Sequence, residues 1–128
     1  MPDVRVLVVD DQEPFRRAMA AVVEETDGFV VVGSVASGEE SLVAARELRP
    51  DLVLMDVNLP GINGIEATRT LRAEGAGPVV VLLSTYDEDE FDLQGSGAAT
   101  YVTKAAFGPE RLVEAWTQAA QEDHRDLG

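Results

Sequence analysis

The 128-residue chain contains no cysteine, and its one histidine, His124, lies in the polar C-terminal stretch. Disulfides, thiolate nucleophiles and cysteine-ligated zinc are therefore excluded, and other zinc sites are disfavoured. The apolar runs are short and interrupted, so none approaches the ~18 residues that a membrane span requires. Asp3 lies where a signal peptide favours positive charge, and we therefore expect a cytoplasmic protein that makes no membrane contact.

Basic residues are scarce: the chain has 10 lysines and arginines against 24 aspartates and glutamates, for a formal net charge of -14. Phosphate contacts need clustered lysine and arginine, so we expect no direct nucleic-acid contact by this domain. A divalent cation or a basic protein surface is the more natural partner. The length suits one domain, which we place at 1–122, followed at 123–128 by a polar tail or the start of a linker.

Short apolar runs alternate with segments of helical periodicity along the chain. The predicted strands are 6–9, 29–37, 51–56, 78–84 and 99–103, and the predicted helices are 13–25, 38–50, 64–75, 87–95 and 108–121. The central strands are continuously apolar, which is typical of a parallel sheet covered by helices on both faces. The pattern therefore predicts an α/β, doubly wound fold. The apolar face of the first helix comprises Phe15, Met19, Val22 and Val23.

Polar residues stand at the carboxyl ends of four predicted strands, where open parallel sheets bind ligands. Asp10 and Asp11 end the first strand, Asp56 the third and Ser84 the fourth, and Lys104 follows the fifth. We therefore expect three carboxylates, a hydroxyl and an ammonium to converge at one edge. Such a cluster suits a hard cation such as Mg²⁺, beside which a carboxylate can attack phosphorus. Phosphoryl transfer to an aspartate is the chemistry that fits best.

Each of these residues also has a simpler explanation when it is taken alone. Asp11 suits a helix N-cap, Ser84 suits a backbone hydrogen bond, and Lys104 suits an ordinary surface lysine. Asp56 is different, because it lies inside an apolar stretch where an unpaired carboxylate is costly to bury. The joint placement of the residues, rather than any one of them, favours a chemical role.

Four stretches, VLVVDDQEPFR, LVLMDVNLPGINGIEATR, VVLLST and TYVTK, together resemble the receiver domain of two-component response regulators. They occur in the family's order and cover nearly the whole chain. The resemblance implies a flavodoxin-like (βα)5 fold with strand order 2-1-3-4-5. It also implies that Asp56 is the phosphoacceptor and that Mg²⁺ (or Mn²⁺) is bound by Asp10, Asp11, Asp56 and the backbone carbonyl of Asn58. Ser84 and Lys104 would contact the phosphoryl group. Ser84 and Tyr101 would be the switch residues.

The resemblance further implies a sensor histidine kinase or a phosphotransfer protein as donor. The signal would leave through the surface formed by the fourth helix, fifth strand and fifth helix, to a downstream protein or an attached output domain, with homodimer formation on phosphorylation. The STYDEDEF stretch is similar to receivers that precede helix-turn-helix DNA-binding domains. We expect no enzyme activity beyond phosphorylation and dephosphorylation of Asp56.

The sequence departs from the family pattern at three places. Ser84 stands where threonine is commoner, and Ala105 stands where the family often has a cis-proline, so we expect a trans Lys104–Ala105 bond. The acidic segment YDEDEFDLQGSGAA is shorter than is usual in the family, and its two glycines, Gly95 and Gly97, leave little room for a helix. It predicts a short, marginal fourth helix over 87–95, with segment 86–97 ordering on phosphorylation.

Other functions remain open at this point. A flavodoxin-like cofactor binder shares the fold, although an acidic first loop repels phosphate unless a metal is bound. A phosphatase with an aspartate nucleophile would also use Mg²⁺, but its usual Asp-x-Asp pair is absent because Asn58 is the second residue after Asp56. A receiver that binds partners without being phosphorylated is the third alternative.

Overall fold

Within the described residues, the strands and helices follow one another in the predicted order. The computed structural model describes residues 3–74, 77–84 and 98–127. The strands are β1 (Val4–Val9), β2 (Phe29–Val35), β3 (Leu52–Asp56), β4 (Val79–Ser84) and β5 (Thr100–Thr103). The helices are α1 (Glu13–Glu24), α2 (Gly38–Leu48), α3 (Gly64–Ala73) and α4 (Pro109–Leu127), and a short 3₁₀ helix spans Lys104–Ala106.

The five strands form one parallel sheet in the order β2-β1-β3-β4-β5. The predicted doubly wound fold and its strand order are therefore confirmed. Every residue of β3 and β4 is buried, which accounts for their continuously apolar sequences. The chain changes direction across the sheet between β1 and β3, so the carboxyl ends of these two strands flank the crevice where ligands bind in such folds.

Two apolar cores cover the two faces of the sheet. Val6 and Val8 of β1 pack in the core that contains residues of α1 and α4. Leu7 and Val9, which point the other way, pack in the core that contains residues of α2 and α3. Because both faces are buried, the sheet holds the ends of its strands in fixed positions at the carboxyl edge.

Side chains cap the helices on the α2 and α3 side. Ser37 accepts a hydrogen bond from the backbone N–H of Glu40 at the start of α2. Asn63 and Glu66 form a reciprocal capping box at the start of α3. The N-cap of α1 is Gln12, which makes no side-chain capping bond. The capping explanation for Asp11 is therefore wrong.

Phe15 departs from the apolar face predicted for α1. Met19 and Val23 are buried and Val22 packs against the same core, but Phe15 is 37% exposed. It lies in the first turn, only a few residues after β1 has ended, so the core-forming part of the helix begins beyond it. Phe15 therefore shares the helical spacing of these residues but lies outside both cores.

The C-terminal helix is longer than predicted. It continues to Leu127 rather than ending at 121, because the added residues include neither proline nor glycine. The predicted fourth helix at 87–95, and the ordering expected of 86–97, lie outside the described residues. Among the described residues no peptide bond is cis, so the expected trans Lys104–Ala105 bond is confirmed. No described helix is both long and apolar enough to cross a bilayer.

Candidate phosphoacceptor and metal site

The residues predicted to form a site follow the carboxyl ends of four strands. Asp10 and Asp11 come directly after β1, and Asp56 is the last residue of β3. Ser84 ends β4, and Lys104 follows β5 at the start of the 3₁₀ helix. The parallel sheet therefore carries all five residues to one edge, although they are distant in sequence.

Asp10 is fully buried and held by the backbone around it. Its N–H donates to the carbonyl of Val35 at 3.2 Å, and its Oδ1 accepts from the N–H of Gln12 at 2.9 Å. Its Oδ2 lies 2.7 Å from Lys104 Nζ but accepts no hydrogen bond of good geometry from the described residues. A buried carboxylate oxygen is thus left with acceptor capacity that a cation can use.

Lys104 lies between two carboxylates rather than in solvent. Its Nζ is 2.7 Å from Asp10 Oδ2 and 3.6 Å from Asp56 Oδ1, and its side chain is only 9% exposed. The ring of Phe15 lies over the same ammonium, with its centroid 4.0 Å from Nζ. The explanation of Lys104 as an ordinary surface lysine is therefore wrong.

Asp56 is 3% exposed, and its electrostatic surroundings disfavour its charge. Burial, followed by repulsion from Asp10 and a smaller repulsion from Asp11, raises the pKa of Asp56 to about 6. The Lys104 ammonium and the Asn58 N–H, which donates to Asp56 Oδ1 at 3.3 Å, oppose this rise. Near neutral pH the carboxylate is therefore mostly ionised but poorly stabilised.

The three aspartates offer a set of oxygen ligands. One carboxylate oxygen from each of Asp10, Asp11 and Asp56 lies within 4.8 Å of the other two, and Asp11 is exposed to solvent. When ionised, these carboxylates and the Lys104 ammonium together leave two negative charges, which a divalent cation would neutralise. Oxygen donors and the spare capacity of Asp10 Oδ2 fit Mg²⁺ or Mn²⁺.

The loop between β3 and α3 passes close behind Asp56. A Cβ atom on Gly64 would lie 2.2 Å from the backbone carbonyl oxygen of Asp56, so only glycine fits at this position. The N–H of Gly64 donates to the carbonyl of Val57 at 2.9 Å and closes the loop. Asn58 is exposed at the start of this loop, two residues after Asp56. The loop therefore packs tightly against the backbone of Asp56 at the end of β3.

Ser84 and Tyr101 occupy neighbouring strands. Ser84 is fully buried and is in register with Thr103 of β5. The Cα of Asp56 pairs with that of Leu83, so Ser84 lies one residue further along the strand next to Asp56. Tyr101 is half-buried and packs against the core on the α2 and α3 side.

A family model for the response regulator receiver domain matches residues 6–117. The chain belongs to this family. All the candidate site residues lie within the matched range, which begins at the third residue of β1 and includes the other four strands. The resemblance drawn from the sequence is confirmed.

Several curated relatives are response regulators. The receiver is 48% identical over 114 residues to the response regulator GacA of Pseudomonas viridiflava, an alignment that covers 88% of this chain and 53% of GacA. It is 46% identical over 112 residues to the DNA-binding response regulator MtrA of Mycolicibacterium smegmatis, covering 85% of this chain and 47% of MtrA. The chain thus spans about half the length of these relatives.

Solved structures show the same fold. A two-component response regulator of the LuxR family from Aurantimonas sp. SI85-9A1 aligns with a TM-score of 0.78 and 34% identity, covering 88% of this chain and 81% of that one. A signal receiver domain from Mycobacterium tuberculosis aligns with a TM-score of 0.85 and 28% identity, covering 94% of this chain and 98% of that one.

Sequence reasoning missed the contacts that Phe15 and Arg16 make at the candidate site, and the close packing that requires glycine at position 64. Arg16 Nη1 donates to the backbone carbonyl of Asp10 at 2.9 Å and ties α1 to the end of β1. Phe15 covers Lys104, and Gly64 allows the close approach of the loop behind Asp56. The sequence does show an aromatic residue and an arginine shortly after the acidic pair, but it does not show which groups these side chains contact.

Proposed function

We propose that this receiver accepts a phosphoryl group on Asp56 from a phosphohistidine of a sensor kinase or phosphotransfer protein, in a reaction that requires Mg²⁺ or Mn²⁺. One observation carries the proposal: the buried Asp56 carboxylate lies beside Asp10 and Asp11, and its charge remains costly despite Lys104 unless a further cation binds. Membership in the receiver family favours this function over flavin binding or phosphatase turnover.

Asp10, Asp11, Asp56 and the backbone carbonyl of Asn58 would hold the metal ion. When bound, the ion supplies positive charge that reduces the repulsion between an anionic nucleophile and an anionic donor. The N–H of Gln12 holds the side chain of Asp10 in place, and Arg16 holds its backbone carbonyl. Asp11 contributes the exposed side of the site.

In the transfer, a carboxylate oxygen of Asp56 forms a bond to phosphorus while the bond between phosphorus and the donor breaks. The leaving group is the imidazole nitrogen of a phosphohistidine or the acetate oxygen of acetyl phosphate. Asp56 must be ionised to attack, which its pKa of about 6 permits near neutral pH. The Lys104 ammonium and the Ser84 hydroxyl would then meet the negative charge on the phosphoryl oxygens.

The output would depend on Ser84 and Tyr101. Moving the Ser84 hydroxyl toward the phosphoryl group would change the end of β4, and Tyr101 on the adjacent strand β5 would transmit the change to the surface formed by the predicted fourth helix, β5 and α4. This surface would bind a downstream protein, an attached output domain or a second copy of the receiver. We place these events in the cytoplasm and, given the charge of -14, assign no nucleic-acid contact to this domain.

The test is incubation of the protein with acetyl phosphate, with Mg²⁺ or with chelator, followed by intact-mass measurement. We expect one added phosphoryl group with Mg²⁺ and none with chelator or in Asp56→Asn. Asp27→Asn, which removes an exposed carboxylate outside the site, is the matched control and should be modified like the wild type. If the wild type accepts a phosphoryl group neither from acetyl phosphate nor from a phosphohistidine protein, the proposal is contradicted and a phosphorylation-independent receiver is favoured.

A further inference from the structure

The Lys104 ammonium has different neighbours on two sides. Carboxylate oxygens of Asp10 and Asp56 lie 2.7 Å and 3.6 Å away, and the Phe15 ring centroid lies 4.0 Å away. A lysine side chain is long and flexible, so attraction to two carboxylates does not by itself fix where the ammonium lies. The aromatic face limits its movement from a further direction.

Burial in the core does not explain Phe15. The side chain is 37% exposed, belongs to neither core, and lies in the first turn of α1, where a polar residue would be better solvated. The contact that accounts for its place is with Lys104, whose side chain is only 9% exposed. The negative face of an aromatic ring attracts a cation at this distance, most strongly where water is excluded.

We propose that Phe15 is a positioning residue for the phosphoryl transfer: its ring holds the Lys104 ammonium against Asp10 and toward Asp56. The role rests on the proposed function, because Lys104 is the group that meets the phosphoryl oxygens. In this role Phe15 acts through Lys104 rather than on the donor or the reacting atoms. Without the ring, the ammonium would move among more positions and would contact the phosphoryl group for a smaller fraction of the time.

The sharpest test keeps the shape of the side chain and changes only its attraction for a cation. Site-specific incorporation of phenylalanine carrying one, two or three ring fluorines at position 15 weakens the cation–π attraction in steps. The rate of phosphorylation by acetyl phosphate should fall with each added fluorine. Phe15→Leu should lower the rate about three- to tenfold, the size of effect expected for a partly desolvated cation–π contact, and Phe15→Trp should preserve it.

The matched control places the same fluorinated residues at Phe29, which lies in β2 and packs against the core away from Lys104. These variants should show no ordered change in rate. The second readout does not depend on phosphorylation: acylation of Lys104 by an amine reagent, measured by peptide mass spectrometry in the metal-free protein. Acylation should become faster in Phe15→Leu and should rise in order along the fluorinated series.

The outcomes separate this inference from the proposed function. Ordered changes in both readouts would support it. Phosphorylation of the wild type at Asp56 with equal rates and equal acylation along the series would overturn the role of Phe15 and leave the proposed function standing. A wild type that is never phosphorylated, even with ordered acylation, would overturn the proposed function and with it any role of Phe15 in the transfer.

Discussion

Replacing Asp56 with asparagine should stabilise the metal-free protein near pH 7, although it removes the proposed nucleophile. Asparagine keeps the shape of the side chain and removes a charge that burial and Asp10 disfavour. Raising the pKa from an ordinary ~3.9 to about 6 costs at most about 3 kcal/mol once the group is ionised. Allowing half of this for solvent at the edge of the site leaves about 1.5 kcal/mol, or roughly 6 °C in melting temperature.

The gain should depend on pH in a defined direction. The pKa of Asp56 is higher in the folded protein than in the unfolded chain, so the folded state binds the proton more tightly. The contribution of protonated Asp56 to the free energy of unfolding is therefore fully present below about pH 4 and is lost as the pH rises through about 6. Asparagine does not titrate, and the difference between the two proteins should grow over this window and vanish at its acidic end.

Thermal unfolding of the wild type and Asp56→Asn, followed by circular dichroism in chelator from pH 4 to pH 8, measures this difference. Asp27→Asn is the control; because Asp27 is exposed, its free energy of unfolding should stay within ~0.5 kcal/mol of the wild type, as for ordinary surface substitutions. If Asp56→Asn melts at or below the wild type near pH 7, or if its advantage is equally large at pH 4, the electrostatic reasoning about Asp56 is wrong.

Two other variants test the remaining parts of the site. Asp11→Asn should raise the metal-free melting temperature by less than Asp56→Asn, because Asp11 is the smallest of the causes that raise the Asp56 pKa. The same variant should lose most of the stabilisation by Mg²⁺. An unchanged Mg²⁺ response in a thermal-shift titration would contradict this expectation. Gly64→Ala should destabilise the domain by about 1–3 kcal/mol in urea unfolding, because its Cβ would overlap the Asp56 carbonyl. Gly108→Ala, whose Cβ meets no atom within 4 Å, is the control; equal stability of the two variants would refute the steric argument.

The sheet and its acidic edge follow from local patterns that a sequence displays directly. The apolar runs of β3 and β4 indicate strands buried on both faces, and parallel strands bring their ends together by geometry. Asp10, Asp56 and Lys104 therefore meet for a reason that is already present in the order of the elements.

The details that the sequence did not predict depend on distances through space. Helical periodicity assigns Phe15 to the face of Met19, but the first turn of α1 lies where the strands have ended, and the ring covers Lys104 instead. The bond from Arg16 to the Asp10 carbonyl has no periodic signature. Likewise, the pKa of Asp56 depends on burial and neighbouring charge that only the folded arrangement defines.

Identification of the phosphorylated residue tests phosphoryl transfer to Asp56 directly. The protein is treated with acetyl phosphate and Mg²⁺, the acyl phosphate is reduced with borohydride, and peptide mass spectrometry locates the resulting homoserine. We expect homoserine at position 56, formed only with Mg²⁺ and at no other aspartate, including Asp10 and Asp11. Homoserine at a different position, or phosphorylation of Asp56 that is equally efficient in chelator, would contradict it.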